Sequence, residues 1–228
     1  MVKVTFVGHA CFLLDNGAQK ILIDPFITGN PVAKISEAQK KIDFILISHG
    51  HGDHLGDAIG LAKKSDAMII SNYEIATYCG EQGVQKTHPL HIGGGHDFPF
   101  GSLKLTIAHH GSTLGNSNLY GGEPAGFIIR TGGKVIYHAG DTGLFLDMKL
   151  IGELDKIDLA LLPIGGNFTM DISDAVKAVE FLSPRKAIPM HYNTFDLIAC
   201  NPVKFVNRIK PLGAEGIVLK PGESYDLS

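Results

Sequence analysis

The sequence predicts an α+β protein built from two similar sheet-and-helix units packed sheet to sheet. Short apolar runs of strand length cluster early in each half, and segments with helical spacing come late in each. No linker-like stretch separates the halves. A chain of 228 residues can bury one substantial core, so residues 1–228 are read as a single domain.

The elements follow in order. Residues 2–7 alternate as a strand, and 11–14 and 20–23 continue the sheet, with Asp15, Asn16 and Gly17 supplying a hairpin turn. A buried strand over 44–47 leads to a helix over about 53–63 and a strand over 67–71. Asn72 can cap a helix running to Cys79, which Gly80 and Gly83 end. The middle is β-rich, with strands over 103–108, 125–130 and 134–138, the last two joined by Thr131, Gly132 and Gly133. Gly93, Gly94 and Gly95 read as a turn, because the helix with Lys-Ser/Thr that a phosphate loop needs does not follow.

The second half repeats the plan: a helix over 144–154, then a strand over 159–163. Asp171 caps a helix whose Ile172, Ala175, Val176, Val179 and Leu182 fall at helical spacing. A strand over 186–190, a helix over 202–209 and a final strand over 215–219 complete the chain.

Composition excludes several classes. Hydrophobic content of 44% with 19% charged residues is that of an ordinary globular protein. No apolar run approaches a membrane span, and the alternating start lacks the long apolar region of a signal peptide. A net charge of −3 without a basic run leaves no electrostatic footprint for nucleic acid. Cys11, Cys79 and Cys200 are odd in number and far apart, so a disulfide framework is not expected and a cytoplasmic location is. Cys11 sits in an apolar strand and reads as a small core residue.

The chemistry is concentrated in Ser48-His49-Gly50-His51-Gly52-Asp53-His54. Imidazole and carboxylate are ligands for zinc, manganese or iron, and these stand at the end of a buried strand. Gly50 and Gly52 let the backbone turn tightly enough for the side chains to converge. His49 and His51 share one side of an extended turn, whereas Asp53 and His54 begin a helix and point elsewhere. Further candidates stand at Ala108-His109-His110-Gly111, His138-Ala139-Gly140-Asp141-Thr142 and Pro189-Met190-His191-Tyr192-Asn193. Alternation puts His109 on the face of Leu103, Leu105 and Ile107, and His110 on the other; the strand ends there, so periodicity leaves both open. No Gly-x-Ser-x-Gly elbow is present.

His-x-His-x-Asp-His after an apolar strand, followed in order by a histidine, an aspartate and a last histidine, resembles the metallo-β-lactamase superfamily over nearly the whole chain. Within it, Gly8-His9-Ala10, Ile23-Asp24-Pro25-Phe26 and Asn167-Phe168-Thr169-Met170 resemble the compact metal-dependent hydrolases, a group related to the lactonase that opens ascorbate 6-phosphate. The resemblance implies a four-layer αββα sandwich with two divalent metal ions, zinc first and Mn2+ or Fe2+ accepted by the same donors. It implies that His49, His51 and a third histidine hold one metal, that Asp53, His54 and His191 hold the other, and that Asp141 bridges. The glycine directly after the ligand in the family favours His110 over His109, leaving His109 as an outer partner or a capped core histidine. Asp53, Asp141 and His191 are the catalytic candidates. His9 is expected at the cleft and Asp24 as a partner orienting a ligand histidine. His138, inside a strand, is expected to pack or support, and His88, His91 and His96 to lie on the surface.

The implied activity is hydrolysis by a metal-bound hydroxide of an ester, lactone or phosphodiester bond in a small intracellular metabolite, phosphorylated or not. Asn167, Thr169, Asn193 and Thr194 stand near the motifs and could donate hydrogen bonds to it. A di-iron redox protein of the same fold, an RNA-processing nuclease and a non-enzymatic metal-binding module are the alternatives. A redox relative would carry a carboxylate where His51 stands and an attached flavin domain, and the nuclease a long insertion with a basic surface. The expected partner is a small molecule, without nucleic acid or membrane, and a homo-oligomer is compatible with the chain.

Overall fold

The computed structural model describes residues 1–36, 41–115 and 117–228. Two seven-stranded sheets organise them. The first runs β1 (Val2–Gly8), β2 (Cys11–Asp15), β3 (Lys20–Ile23), β4 (Phe44–Leu46), β5 (Met68–Asn72) and β6 (Thr87–Leu90), with β14 (Ser224–Leu227) outside β1. The second runs β7 (Gly95–Phe98), β8 (Gly101–Ile107), β9 (Ala125–Thr131), β10 (Lys134–His138), β11 (Leu159–Pro163), β12 (Lys186–Met190) and β13 (Glu215–Gly216).

Each sheet is antiparallel on one side and parallel on the other. The pairs from β14 to β3 and from β7 to β10 are antiparallel, whereas β3 to β6 and β10 to β13 are parallel. Parallel neighbours need crossovers, which helices supply. In the first half these are α1 (Gly52–Leu55), α2 (Ala58–Ser65) and α3 (Tyr73–Glu81). In the second they are α4 (Asp147–Leu154), α5 (Ile172–Leu182) and α6 (Pro202–Ile209). The α+β architecture read from the sequence is the one observed.

Strand alternation sorts the core. Phe12 and Leu14 of β2 join a buried cluster with Leu105, Phe127 and Ile129 of the second sheet. Cys11 and Leu13, on the opposite face, join Leu55, Leu61, Ile75 and Cys79 beneath the helices. The local signals hold where local chemistry decides. Asn72 Oδ1 accepts from the Ile75 N–H at 2.8 Å, and Asp171 Oδ1 accepts from Ser173 and Asp174 at 2.7 and 2.9 Å. No helix among the described residues is long and apolar enough to cross a membrane.

Four expectations are corrected. The helix over 53–63 is two helices, broken at Gly56, whose φ of +40° and close approach to the Pro25 carbonyl exclude a side chain. Asp57 then binds back, its carboxylate accepting from the N–H groups of Ile27 and Thr28 at 2.9 and 2.8 Å. The strand over 215–219 shortens to two residues, and the last strand is β14, which pairs with β1. β6 and β7 are strands that apolar patterning did not announce, and Gly95 belongs to β7 rather than to the turn before it. The helix over 144–154 begins at Asp147.

Candidate metal centre

The loops that leave the C-terminal ends of β4, β10, β11 and β12 meet those following β1, β3 and β8 at one edge of the two sheets. The backbone is strained there. His9, Asp24, Asn167, His191 and Asn193 all adopt left-handed conformations, with φ between +46° and +60°. Such conformations cost a non-glycine residue about 1–2 kcal/mol and persist only when surroundings impose them. The turn of the motif is packed against loop 112–122. A Cβ on Gly50 would stand 2.5 Å from the Thr113 carbonyl oxygen, and the Gly50 N–H donates to Ser112 Oγ at 3.1 Å.

The candidate ligands converge in three overlapping groups: His49, His51 and His110; His9, Asp53, His54 and His191; and His49, His54 and Asp141. Within each group one donor atom per residue lies within 4.8 Å of the others. Asp141 stands between the first two groups. Its Oδ2 lies 2.9 Å from His191 Nε2, 3.3 Å from His54 Nε2 and 3.6 Å from His110 Nε2.

Hydrogen bonds outside the cluster set which nitrogens are free. Asp24 is fully buried; its carboxylate accepts from Ser48 N and Ser48 Oγ at 2.7 and 2.6 Å, and from His54 Nδ1 at 2.8 Å. His54 therefore turns Nε2 toward Asp141. Because the Ser48 hydroxyl proton goes to Asp24, Ser48 Oγ accepts from His49 Nδ1 at 3.0 Å, leaving His49 Nε2 beside His51 Nδ1 at 3.0 Å.

Electrostatics divides the histidines. Burial holds His49, His51 and His110 below the usual imidazole range, so they are neutral and keep a lone pair for a cation. His54 differs. Burial works against its charge, yet the carboxylates of Asp141 and Asp24 raise it well above the ordinary value. Asp141 is driven well below the carboxylate range; burial opposes this, and His191 and His54 outweigh it. Without a cation, His54 is the positive charge that balances Asp141.

The residues fit divalent cations. His54 Nε2, Asp141 Oδ1 and His191 Nδ1 are buried without a hydrogen-bond partner, an expensive condition for polar atoms. All three belong to residues of the converging groups. The donor set of imidazole and carboxylate suits zinc, manganese and iron alike.

His9 is more deeply committed than its sequence position announces. Its ring is fully buried; Nε2 donates to Asp53 Oδ2 at 3.2 Å, and Nδ1 accepts from Thr194 Oγ1 at 2.9 Å. Burial lowers it to about 4 against the raising effect of the Asp53 bond, so it is neutral. Asp53 is held below the carboxylate range; burial opposes this, and the His9 hydrogen bond and the nearby His54 overcome it. His138 also supports the site. Its Nε2 donates to the Ala10 carbonyl at 3.0 Å, and its Nδ1 accepts from Gly140 N at 3.1 Å, fixing the turn before Asp141.

Other expected residues sit elsewhere. His109 is exposed, its ring against Phe145 at 5.1 Å, so it is neither a core histidine nor in the cluster; the chain has left β8 at Ile107, and alternation no longer applies. Asn193 Oδ1 accepts from Cys200 N at 2.8 Å, and Thr169 Oγ1 donates to the Met170 carbonyl at 3.4 Å, so both serve their own loops. Asn167 is exposed. His88 and His96 lie with ring centroids 4.4 Å apart on the outermost strands of the two sheets, away from this edge. The link from Asp24 to the motif had a signal in its place at a strand end; the Thr194–His9–Asp53 chain had none.

The cluster opens into a cleft of about 340 Å³ walled by His51, Asp53, His110, Asp141, Phe168 and His191. Asp24→Ala is expected to weaken cation binding about 10–100-fold, because His54 loses the partner that orients it. Calorimetric titration of the metal-free variant checks this; unchanged affinity would show that Asp24 serves only the fold.

Residues 3–191 match a beta-lactamase superfamily domain. A UPF0173 metal-dependent hydrolase of Desulforamulus reducens is 53% identical over 226 residues, covering 97% of this chain and 98% of that protein. One from Carboxydothermus hydrogenoformans is 51% identical over 223 residues, covering 97% and 98%. Among solved structures, Igni18, a metallo hydrolase from Ignicoccus hospitalis, is 39% identical with a TM-score of 0.89, covering 98% of this chain and 97% of its own.

Proposed function

For a chain that belongs to the metallo-β-lactamase superfamily and is one of its metal-dependent hydrolases, we propose a binuclear site that hydrolyses an ester, lactone or phosphodiester bond of a small metabolite. The observation that carries this is the pair of donor groups, His49–His51–His110 and Asp53–His54–His191, with Asp141 between them. A carboxylate has two oxygens and can hold two cations at once, which an imidazole cannot. Zinc is the first candidate, with manganese or iron as substitutes.

When bound, such a pair of cations supplies a hydroxide nucleophile near neutral pH and polarises the oxygen of the scissile group. The chain's own residues do the rest. Asp24 and Ser48 hold His54 and His49 in the tautomers that present Nε2 inward. His9 fixes one oxygen of Asp53 and leaves the other free at the cleft wall, where it would hold a cation together with His54 and His191. Phe168 and Gly115 line the cleft beside the ligands. No serine or cysteine nucleophile is required.

The reading extends to the whole chain as one domain, supported by β14 closing the sheet that β1 opens. A cytoplasmic location is supported by three free cysteines, two of them buried. Redox chemistry is disfavoured by the neutral His51 where a carboxylate would be expected.

Elemental analysis of gently purified protein, with turnover of a chromogenic ester and a phosphodiester, tests the reading. About two divalent cations per chain and measurable hydrolysis are expected. Failure to bind metal after reconstitution, or full loading without hydrolysis of any member of the panel, would overturn it.

A further inference from the structure

We infer that the substrate is uncharged and apolar: a carboxylic ester or lactone carrying a hydrocarbon acyl group. This rests on the hydrolase reading above and narrows it. The first observation is a missing charge. Segments 8–10, 24–33, 47–57, 108–124, 139–147, 164–171 and 191–201, which carry the ligands and the rim, contain no lysine or arginine. They do contain the carboxylates Asp24, Asp57, Glu123, Asp147, Asp171 and Asp196 besides those of the cluster. The next basic residue along the β3–β4 connection, Lys34, lies against Gly222 beside β14. A phosphorylated or carboxylated substrate needs a cationic partner for the group that does not react, and guanidinium or ammonium is the usual one. The cations of the site would engage the reacting group, leaving a second anion without a cationic partner from these segments.

The second observation is what replaces the charge. Phe168 on the cleft wall is 52% exposed, and Phe195 and Leu197, in the loop after His191, are 41% and 69% exposed. Phe26 packs edge-on against His9 at 5.7 Å and lies 6.4 Å from Phe195. Large apolar side chains held in water beside a reactive centre are a binding surface for hydrocarbon. The polar side chains nearby are occupied by their own loops: Asn193 accepts from Cys200 N, Thr194 faces His9, and Thr142 donates to Gly143 O. These three side chains are therefore not offered to a sugar or a phosphate.

The reaction balances with water alone. The water oxygen forms a bond to the acyl carbon, the acyl carbon–oxygen bond breaks, and the alcohol oxygen takes one proton. The acid ionises and releases the other.

The test compares two inhibitors on the zinc-loaded protein by calorimetry. Hexanohydroxamic acid and adipic acid monohydroxamate share a metal-binding head, and their tails end in a methyl and a carboxylate. The methyl tail is expected to bind about tenfold tighter or more. Phe168→Lys and Phe195→Lys, both at exposed positions, should each narrow that gap. Equal or tighter binding of the carboxylate tail, or no binding of either, would overturn the inference. Kinetics separates it from the broader reading: p-nitrophenyl hexanoate should be preferred over bis(p-nitrophenyl) phosphate. The opposite preference sinks the inference and leaves hydrolysis standing, whereas tight hexanohydroxamate binding without any turnover sinks the hydrolase reading and the ester substrate with it, leaving only the apolar lining of the cleft.

Discussion

Asp141→Ala is expected to be the most damaging single substitution in the chain. The carboxylate stands within 3.6 Å of Nε2 of His54, His110 and His191, so its removal strips contact from both donor groups. It also leaves any two cations repelling each other without an anion between them. The cation at the Asp53–His54–His191 group should leave first. The metal-free variant should lose stability too, since buried His54 keeps only Asp24 to balance its charge. Turnover should fall well beyond the ~10–100-fold that loss of an outer partner costs. Thr142→Ala and Thr169→Ala, whose hydroxyls donate to Gly143 O and Met170 O, should lose far less. Metal content per chain and turnover on a common ester are the measurements. A fully active Asp141→Ala protein holding two cations would end the bridging assignment.

His110→Ala should abolish hydrolysis and empty the group it shares with His49 and His51, whereas His109→Ala should leave metal content nearly intact. The two residues are chain neighbours with opposite fates. His110 packs 5.0 Å from His49 and 5.1 Å from His51 by ring centroid, and His109 turns out toward Phe145. Because His110 lines the cleft and is not part of the apolar core, its truncation leaves the fold standing. Parallel metal titrations of the two variants decide the matter, and the reverse pattern would move the third ligand by one residue.

What the sequence disclosed depended on how far each cause lay along the chain. The caps at Asn72 and Asp171 act on residues two or three positions away, and both were legible. The break at Gly56 is imposed by the Pro25 carbonyl, and helical periodicity carries no trace of a distant neighbour. β6 and β7 are outermost strands with partly exposed faces, and His88, Pro89, His96 and Asp97 hide the apolar alternation that marks inner strands. The site divides in the same way. His49 to His54 are contiguous and declare themselves by donor type, but the Thr194–His9 bond spans 185 residues and only the fold brings it together. Asn193 and Thr169 looked like substrate contacts from their proximity to motifs, a criterion that is blind to side-chain direction.

Both donor groups draw on both sheets. His49, His51, Asp53 and His54 follow β4, while His110, Asp141 and His191 follow β8, β10 and β12. The seam beneath them is already pinned by the bonds from His191 N to His9 O at 2.8 Å and from Ala125 N to Ser48 O at 2.9 Å. A cation seated there would be a cross-link between the two halves, governed by free metal where a disulfide is governed by redox poise. Neither half can unravel without ejecting it, so free metal concentration becomes a variable of folding. Each site filled at a hundred times its dissociation constant would add about 2.7 kcal/mol to the native state. With the proposed cations bound, the reactive centre would also be the clasp of the molecule, and a cell that withholds metal would disarm and loosen the protein in one act.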